Sequence, residues 1–215
     1  MKINEETAEK VAEFLLQIKA IRLSKAQPFT WASGWQSPIY CDNRKTLSYP
    51  KVRTYIRQKY VETIQENFGQ VDAIVGVATG GIAQGALVAQ ELELPFGYVR
   101  STSKSHGLQN QVEGDIQSGQ RVVVIEDLIS TGMSSLKAVE ALREMGCQVV
   151  GMVAIFSYGF QIAEENFNHY KCPLLTLSNY NCLIDIALEK NYINSEDMDS
   201  LKAWRENPEH WNALV

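Results

Sequence analysis

Glu126 and Asp127 stand side by side after Val122, Val123, Val124 and Ile125, and the run continues through Ile129, Ser130, Thr131, Gly132, Met133 and Ser134. Four β-branched residues predict a buried strand. Two acids at the mouth of such a strand are costly to place there without a partner. Adjacent carboxylates accept hydrogen bonds, so a diol such as the 2- and 3-hydroxyls of a ribose suits them. The turn that follows leads into a helix predicted over 134–145, with Gly146 as its stop. Backbone N–H groups from Ile129 to Ser134, lying at a helix N-terminus, would form a phosphate cradle. Gly132 allows close backbone approach or positive φ, and Ser130, Thr131 and Ser134 add hydroxyl donors. A simple capped helix after a strand would carry the same turn, with the acids merely favourable near its dipole; the acid pair tips the reading toward a ligand.

Two further segments carry groups suited to anions. Thr79, Gly80 and Gly81 follow the apolar run Val71-Asp-Ala-Ile-Val-Gly-Val77 and open another helix. Two glycines permit a backbone whose N–H groups face an anion, although a plain strand–helix turn reads the same way. The segment Ser101–Gly119 is long, polar and poor in apolar anchors, yet it lies between two core strands, which suits a lid. Arg100, Lys104 and His106 stand at its start, three donors of the kind that neutralise a leaving diphosphate.

These groups need a scaffold, and the hydrophobic pattern supplies one. Val11, Phe14, Leu15 and Ile18 mark one face of a first helix, with Asn4 as its cap. A stretch rich in Ser, Gly, Pro and aromatics follows from Ile21 to Asn43 and predicts short strands and turns. Pro50 opens a second helix with Val52, Tyr55, Ile56, Tyr60, Ile64 and Phe68 inward and Gly69 as its stop. From there strands alternate with helices: strands at 71–77, 95–100, 121–127, 147–156 and 173–178, helices at 81–92, 134–145 and 161–167. Helices over 182–188 and 195–205 close the chain. Apolar strands separated by helices predict a mostly parallel sheet covered on both faces, with its ligands beyond the carboxyl ends of the strands.

Composition bounds the function. The 215 residues are 45% apolar and 21% charged, ordinary globular proportions for one domain. A net charge of −5 argues against a broad grip on nucleic acid. No apolar run approaches the ~20 residues of a membrane helix. The polar start Met-Lys-Ile-Asn-Glu-Glu shows no signal-peptide core, so a cytoplasmic protein is expected. Cys41, Cys147, Cys172 and Cys182 form no CxxC pair and have no zinc-ligand spacing, so reduced, structural thiols are expected.

The strand, the two acids and the Ser-Thr-Gly turn resemble the ribose-phosphate motif of the type I phosphoribosyltransferases. Arg100-Ser-Thr-Ser-Lys104-Ser-His106-Gly is similar to the R-K-x-x-K-x-H-G catalytic loop of the orotate phosphoribosyltransferases, with Ser101 where many members have lysine. Ser33, Gly34, Ser37 and Pro38, followed by Ile39 and Tyr40, resemble the S-G-x-x-S-P hood of the same branch.

The resemblance implies an α/β fold over residues 1–215: an N-terminal helix and hood to about 48, then the core. It implies that Glu126 and Asp127 hold the ribose hydroxyls of 5-phosphoribosyl 1-diphosphate (PRPP). Leu128 and Ile129 would also belong to the PRPP site, Ser130, Thr131, Gly132, Met133 and Ser134 would hold its 5-phosphate, and Thr79, Gly80 and Gly81 its pyrophosphate. Arg100, Lys104 and His106 would meet the leaving group, which makes Lys104, His106 and Asp127 the catalytic candidates. Ser130 would also touch orotate. A Mg²⁺ is expected, carried by substrate oxygens with no direct protein ligand. Homodimers are implied too, each loop closing over the neighbouring subunit's site. Ala32 and Gln36, and then Tyr158 and Gly159, stand where some members place a lysine and an arginine, so backbone amides or Arg44 are left to meet the orotate carboxylate. The rival readings are a purine-type phosphoribosyltransferase, which should lack this loop and hood, and a nucleotide-sensing regulator of the same fold, which would need a basic face.

Overall fold

The structure, a computed structural model, describes residues 4–24, 27–31, 34–100 and 111–211. Helix α1 (Glu5–Gln17) starts where expected: the Asn4 side chain accepts from Thr7 N–H at 3.0 Å, and Val11 and Leu15 are fully buried. The hood that follows is two small antiparallel pairs. Strand β1 (Ile21–Leu23) pairs with β4 (Ile39–Cys41), and between them β2 (Phe29–Thr30) pairs with β3 (Gln36–Ser37). A 3₁₀ segment, Asn43–Ser48, leads to helix α2 (Pro50–Phe68). Proline occupies its first turn, and Gly69, at φ 63°, ends it.

The core is a six-stranded sheet. Its strands are β5 (Ala73–Val77), β6 (Phe96–Val99), β7 (Val112–Glu113), β8 (Arg121–Ile129), β9 (Gln148–Ser157) and β10 (Leu174–Asn179), in the spatial order β10-β9-β8-β5-β6-β7. All pairings are parallel except β6–β7. Helices α3 (Gly80–Leu92), α4 (Met133–Glu144), α5 (Gln161–His169), α6 (Tyr180–Glu189) and α7 (Met198–Glu206) complete the chain. The sheet has a core on each face. From Val122 to Ile125 strand β8 alternates: Val123 and Ile125 pack with α1, α2 and α3, while Val122 and Val124 pack with α4 and α5. Chain order reverses between neighbouring β5 and β8, and their carboxyl ends form the switch point at which such sheets bind ligands.

Two expectations need correction. Strand β8 runs on past the acids, because Leu128 and Ile129 sit in the ladder opposite Phe156 and Ser157. The polar segment from Ser101 to Gly119 is not one long loop. Its second part folds back as β7, Arg100 N–H donates to Gln111 C=O at 2.8 Å, and Ile116 is buried in the core. Gly114 makes that return possible with φ 103° and its α-carbon side against the backbone of Gly97. One isoleucine and a two-residue strand are too short a signal to outweigh so much polar sequence.

Candidate active site

The turns after β5 and β8 are in contact. A Cβ added to Gly80 would lie 2.2 Å from Asp127 Cγ, and one added to Gly81 would lie 2.2 Å from the Ile125 carbonyl oxygen. These glycines are therefore dictated by β8 and the Asp127 carboxyl, which lean directly on the turn. The Ala78–Thr79 peptide that opens the turn is cis, and Thr79 is exposed. The two anion-binding candidates read separately from sequence thus share one wall.

The acids are held differently. Strand alternation sends Glu126 toward α4, where its carboxylate accepts from Ser135 Oγ at 2.7 Å and from Asp127 N–H at 2.9 Å. Glu126 is buried, and that burial, with the Asp127 charge next to it, pushes its pKa up to about 8. Asp127 is also raised by burial, while a hydrogen bond from Glu126 and the charge of Arg44 work against the rise. Burial thus disfavours charge on both acids, and Asp127, the less buried of the two and the one that feels the Arg44 charge, is the better placed to accept from a ligand.

Beyond the acids, the Ser130–Ser134 turn is built to leave donors open. Gly132 has φ 81°, and Leu136 N–H makes the first bond of α4, to Gly132 C=O at 2.9 Å. The N–H groups ahead of Leu136 have no carbonyl within the helix to reach. Ser134 is exposed and Ser130 and Thr131 half-buried. Helix α5 braces the turn: Asn166 Nδ2 donates to Thr131 C=O at 2.9 Å, and a Cβ on Gly132 would meet the Phe167 ring at 2.5 Å. Leu128 and Ile129, ahead of the turn, lie in the ladder, with Ile129 C=O accepting from Tyr158 N–H at 3.0 Å.

Arg100 lies at the end of β6 and pairs with Glu113 of β7 at 3.2 Å, which fixes the base of the loop. Lys104 and His106 lie outside the described residues, as do Ser101, Ala32 and Ser33. On the hood side, Arg44 is exposed, held by Asp42 at 2.9 Å, and close enough to act on the Asp127 charge. Tyr158 is buried in an aromatic cluster with Trp31, Phe160 and Trp204. Trp204 Nε1 donates to Gln36 C=O at 3.2 Å, so α7 fastens the hood to the core. Among the described residues no three His, Cys, Asp or Glu side chains converge on a metal position. None of their helices is long and apolar enough to cross a membrane, and all four cysteines are free thiols.

Sequence reasoning missed the groups that hold the acids in place. Asn43 Nδ2 donates to Asp127 C=O at 2.6 Å, and Tyr60 O–H donates to Glu126 C=O at 2.5 Å. Tyr60 reads as one more apolar position on α2; the signal was its hydroxyl, which needs a partner once buried.

Two glycine-containing turns at a switch point, meeting beside the Glu126–Asp127 pair, define an α/β protein with a candidate site for a phosphorylated sugar. The family model for the phosphoribosyl transferase domain matches residues 46–190. Over 202 residues, 94% of this chain and 95% of the relative, the sequence is 61% identical to an orotate phosphoribosyltransferase of Bacteroides thetaiotaomicron. The orotate phosphoribosyltransferase of Aeropyrum pernix superposes with a TM-score of 0.74 at 31% identity, covering 86% of this chain and 99% of that one. The UMP synthase of Leishmania donovani superposes with a TM-score of 0.77 at 25% identity over 92% of this chain, which spans 42% of that longer one. This chain belongs to the phosphoribosyltransferase family, among the orotate phosphoribosyltransferases.

Proposed function

We propose that this chain transfers the 5-phosphoribosyl group of PRPP to N1 of orotate, giving orotidine 5′-phosphate and pyrophosphate, a step of pyrimidine nucleotide synthesis. The observation that carries the reading is the contact between Asp127 and the Thr79–Gly81 turn, which gathers sites for a ribose hydroxyl and for two phosphates around one carboxylate. The reaction is a displacement at the anomeric carbon: the bond to diphosphate breaks, positive charge develops on the sugar, and orotate N1 forms the new bond. No side chain need act as nucleophile, so the protein's part is positioning and charge stabilisation. The Ser130–Ser134 turn holds the 5-phosphate, Asp127 accepts from a ribose hydroxyl, and the Thr79–Gly81 turn faces the diphosphate. Arg100 and Lys104 neutralise that leaving group, and His106 supports them. Arg44, the cation beside Asp127 on the hood side, serves the orotate carboxylate in place of the family arginine.

A Mg²⁺ that arrives on the substrate fits the acid pair: Asp127, the less buried of the two, would hold it through the ribose hydroxyls of the substrate. When bound, Mg²⁺ supplies charge neutralisation at the diphosphate oxygens. The working unit we propose is a cytoplasmic homodimer in which each Lys104 serves the partner's site, and the four free thiols suit a reducing compartment. The test is loss of orotate absorbance with PRPP and Mg²⁺, run beside adenine, hypoxanthine and uracil. Turnover of orotate alone is the expected result; turnover of a purine base in its place would transfer the chain to the purine-type branch.

A further inference from the structure

The two acids are oriented through their backbone carbonyls, and one of those grips belongs to a longer chain of contacts. Asn43 is 1% exposed and spends its amide entirely inside the protein. Its Nδ2 donates to Asp127 C=O at 2.6 Å, and its Oδ1 accepts from Cys41 Sγ at 3.2 Å. The Asn43 carbonyl in turn accepts from Thr46 Oγ1 at 2.6 Å, and Thr46 Oγ1 accepts from Gln84 Nε2 at 3.2 Å. Thr46 and Gln84 are both buried, at 0% and 1% exposure. Gln84 stands on α3 one turn past Gly80 and Gly81, so the chain of contacts begins in the helix that carries the diphosphate turn and ends on the acid that faces it. Gln84 Oε1 is buried and has no hydrogen-bond partner among the described residues. An apolar side chain would fill that place without leaving a carbonyl unpaired. The position thus carries a polar cost that packing alone does not require.

We infer that Gln84, Thr46 and Asn43 form a positioning relay that sets Asp127 against the Thr79–Gly81 turn, fixing the spacing between the sugar and diphosphate ends of PRPP. The inference rests on the proposed role of Asp127. None of the three residues touches substrate; each acts through the next. The Thr46 hydroxyl is the joint: it donates to one partner and accepts from the other, so its removal severs both links.

The experiment uses Thr46→Val, Thr46→Ser, Gln84→Leu and the Thr46→Val/Gln84→Leu double variant. PRPP binding is measured by calorimetry with Mg²⁺ and no orotate, beside steady-state kinetics and thermal unfolding. Thr46→Val should weaken PRPP binding and lower kcat/KM for PRPP about tenfold, the size of one lost hydrogen bond. KM for orotate should stay within roughly twofold, Thr46→Ser should restore wild-type behaviour, and the double variant should be no worse than Thr46→Val, because contacts in one network are not additive. Additive losses, equal losses in Thr46→Val and Thr46→Ser, or a lowered melting temperature with unchanged PRPP binding would each overturn the relay. If Thr46→Val does not fold, Gln84→Leu alone decides: unchanged PRPP affinity refutes the inference. A wild-type protein that binds PRPP but ignores orotate would count against the proposed function and leave the relay testable. An Asp127→Asn variant that binds PRPP normally would count against the role of Asp127.

Discussion

At the scale of single residues burial sets the two adjacent carboxyls apart, with Glu126 the more enclosed. Glu126 is enclosed by Ser135 and the Asp127 N–H, and its pKa of about 8 lies above the ordinary 4.5. The folded state therefore binds a proton that the unfolded chain releases near 4.5. Stability from this group is complete below that value, declines as pH rises, and is gone once pH passes through about 8. Glu126→Gln does not titrate. Its stability measured by urea unfolding should gain on the wild type from about pH 5 to pH 8 by a few kcal/mol, at about 1.4 kcal/mol per pKa unit. Parallel curves for the two proteins would refute the protonated Glu126. Asp127 is the acid proposed to accept from the sugar, a role that uses its charge. Asp127→Asn keeps the size and should leave the fold intact, while PRPP binding and turnover fall by roughly 1.5–3 kcal/mol, the range of a charge-assisted hydrogen bond. Wild-type kinetics in a folded Asp127→Asn protein would remove Asp127 from the site.

Elements turn these residues into a site, and they were legible in the sequence to different depths. The strand–helix alternation after Gly69, the acid pair on β8 and the glycine turns stood out because periodicity and glycine are local signals. Strand β7 did not, since two residues and one buried isoleucine carry almost no pattern. Asn43, Tyr60 and Asn166 were out of reach for another reason: their partners are carbonyls of Asp127, Glu126 and Thr131, and only the fold brings such distant positions together. Gly132 shows how an element enforces a residue. Its φ of 81° disfavours any side chain, and the Phe167 ring of α5 occupies the space a Cβ would need. Gly132→Ala should cost stability by about 1–2 kcal/mol for the left-handed backbone, plus a further term for the ring. In a double-mutant cycle Phe167→Leu should relieve the ring term and leave the backbone term, read by thermal unfolding. A Gly132→Ala protein as stable as wild type would mean that the turn is not held by α5.

For the whole molecule the decisive question is whether one chain contains a complete site. The turns proposed for ribose and phosphate lie together on β5, β8 and α4, while Arg100 follows β6 and precedes Lys104 in the sequence. If Lys104 serves the partner's site, each site draws its turns from one chain and its loop from the other. Lys104→Ala and Asp127→Asn proteins should each keep about a tenth or less of the wild-type rate. In a mixed dimer one site then carries both lesions and the other carries neither. With equal mixing and free exchange, about half of the dimers are mixed and roughly a quarter of all sites are intact, as two-fold symmetry requires. Activity recovered on mixing should approach that fraction of the wild-type rate, and native mass spectrometry of differently labelled chains can verify the exchange. If the loop served its own chain, every site would keep one lesion and mixing would recover nothing. Exchange without recovery would therefore rule out the shared site.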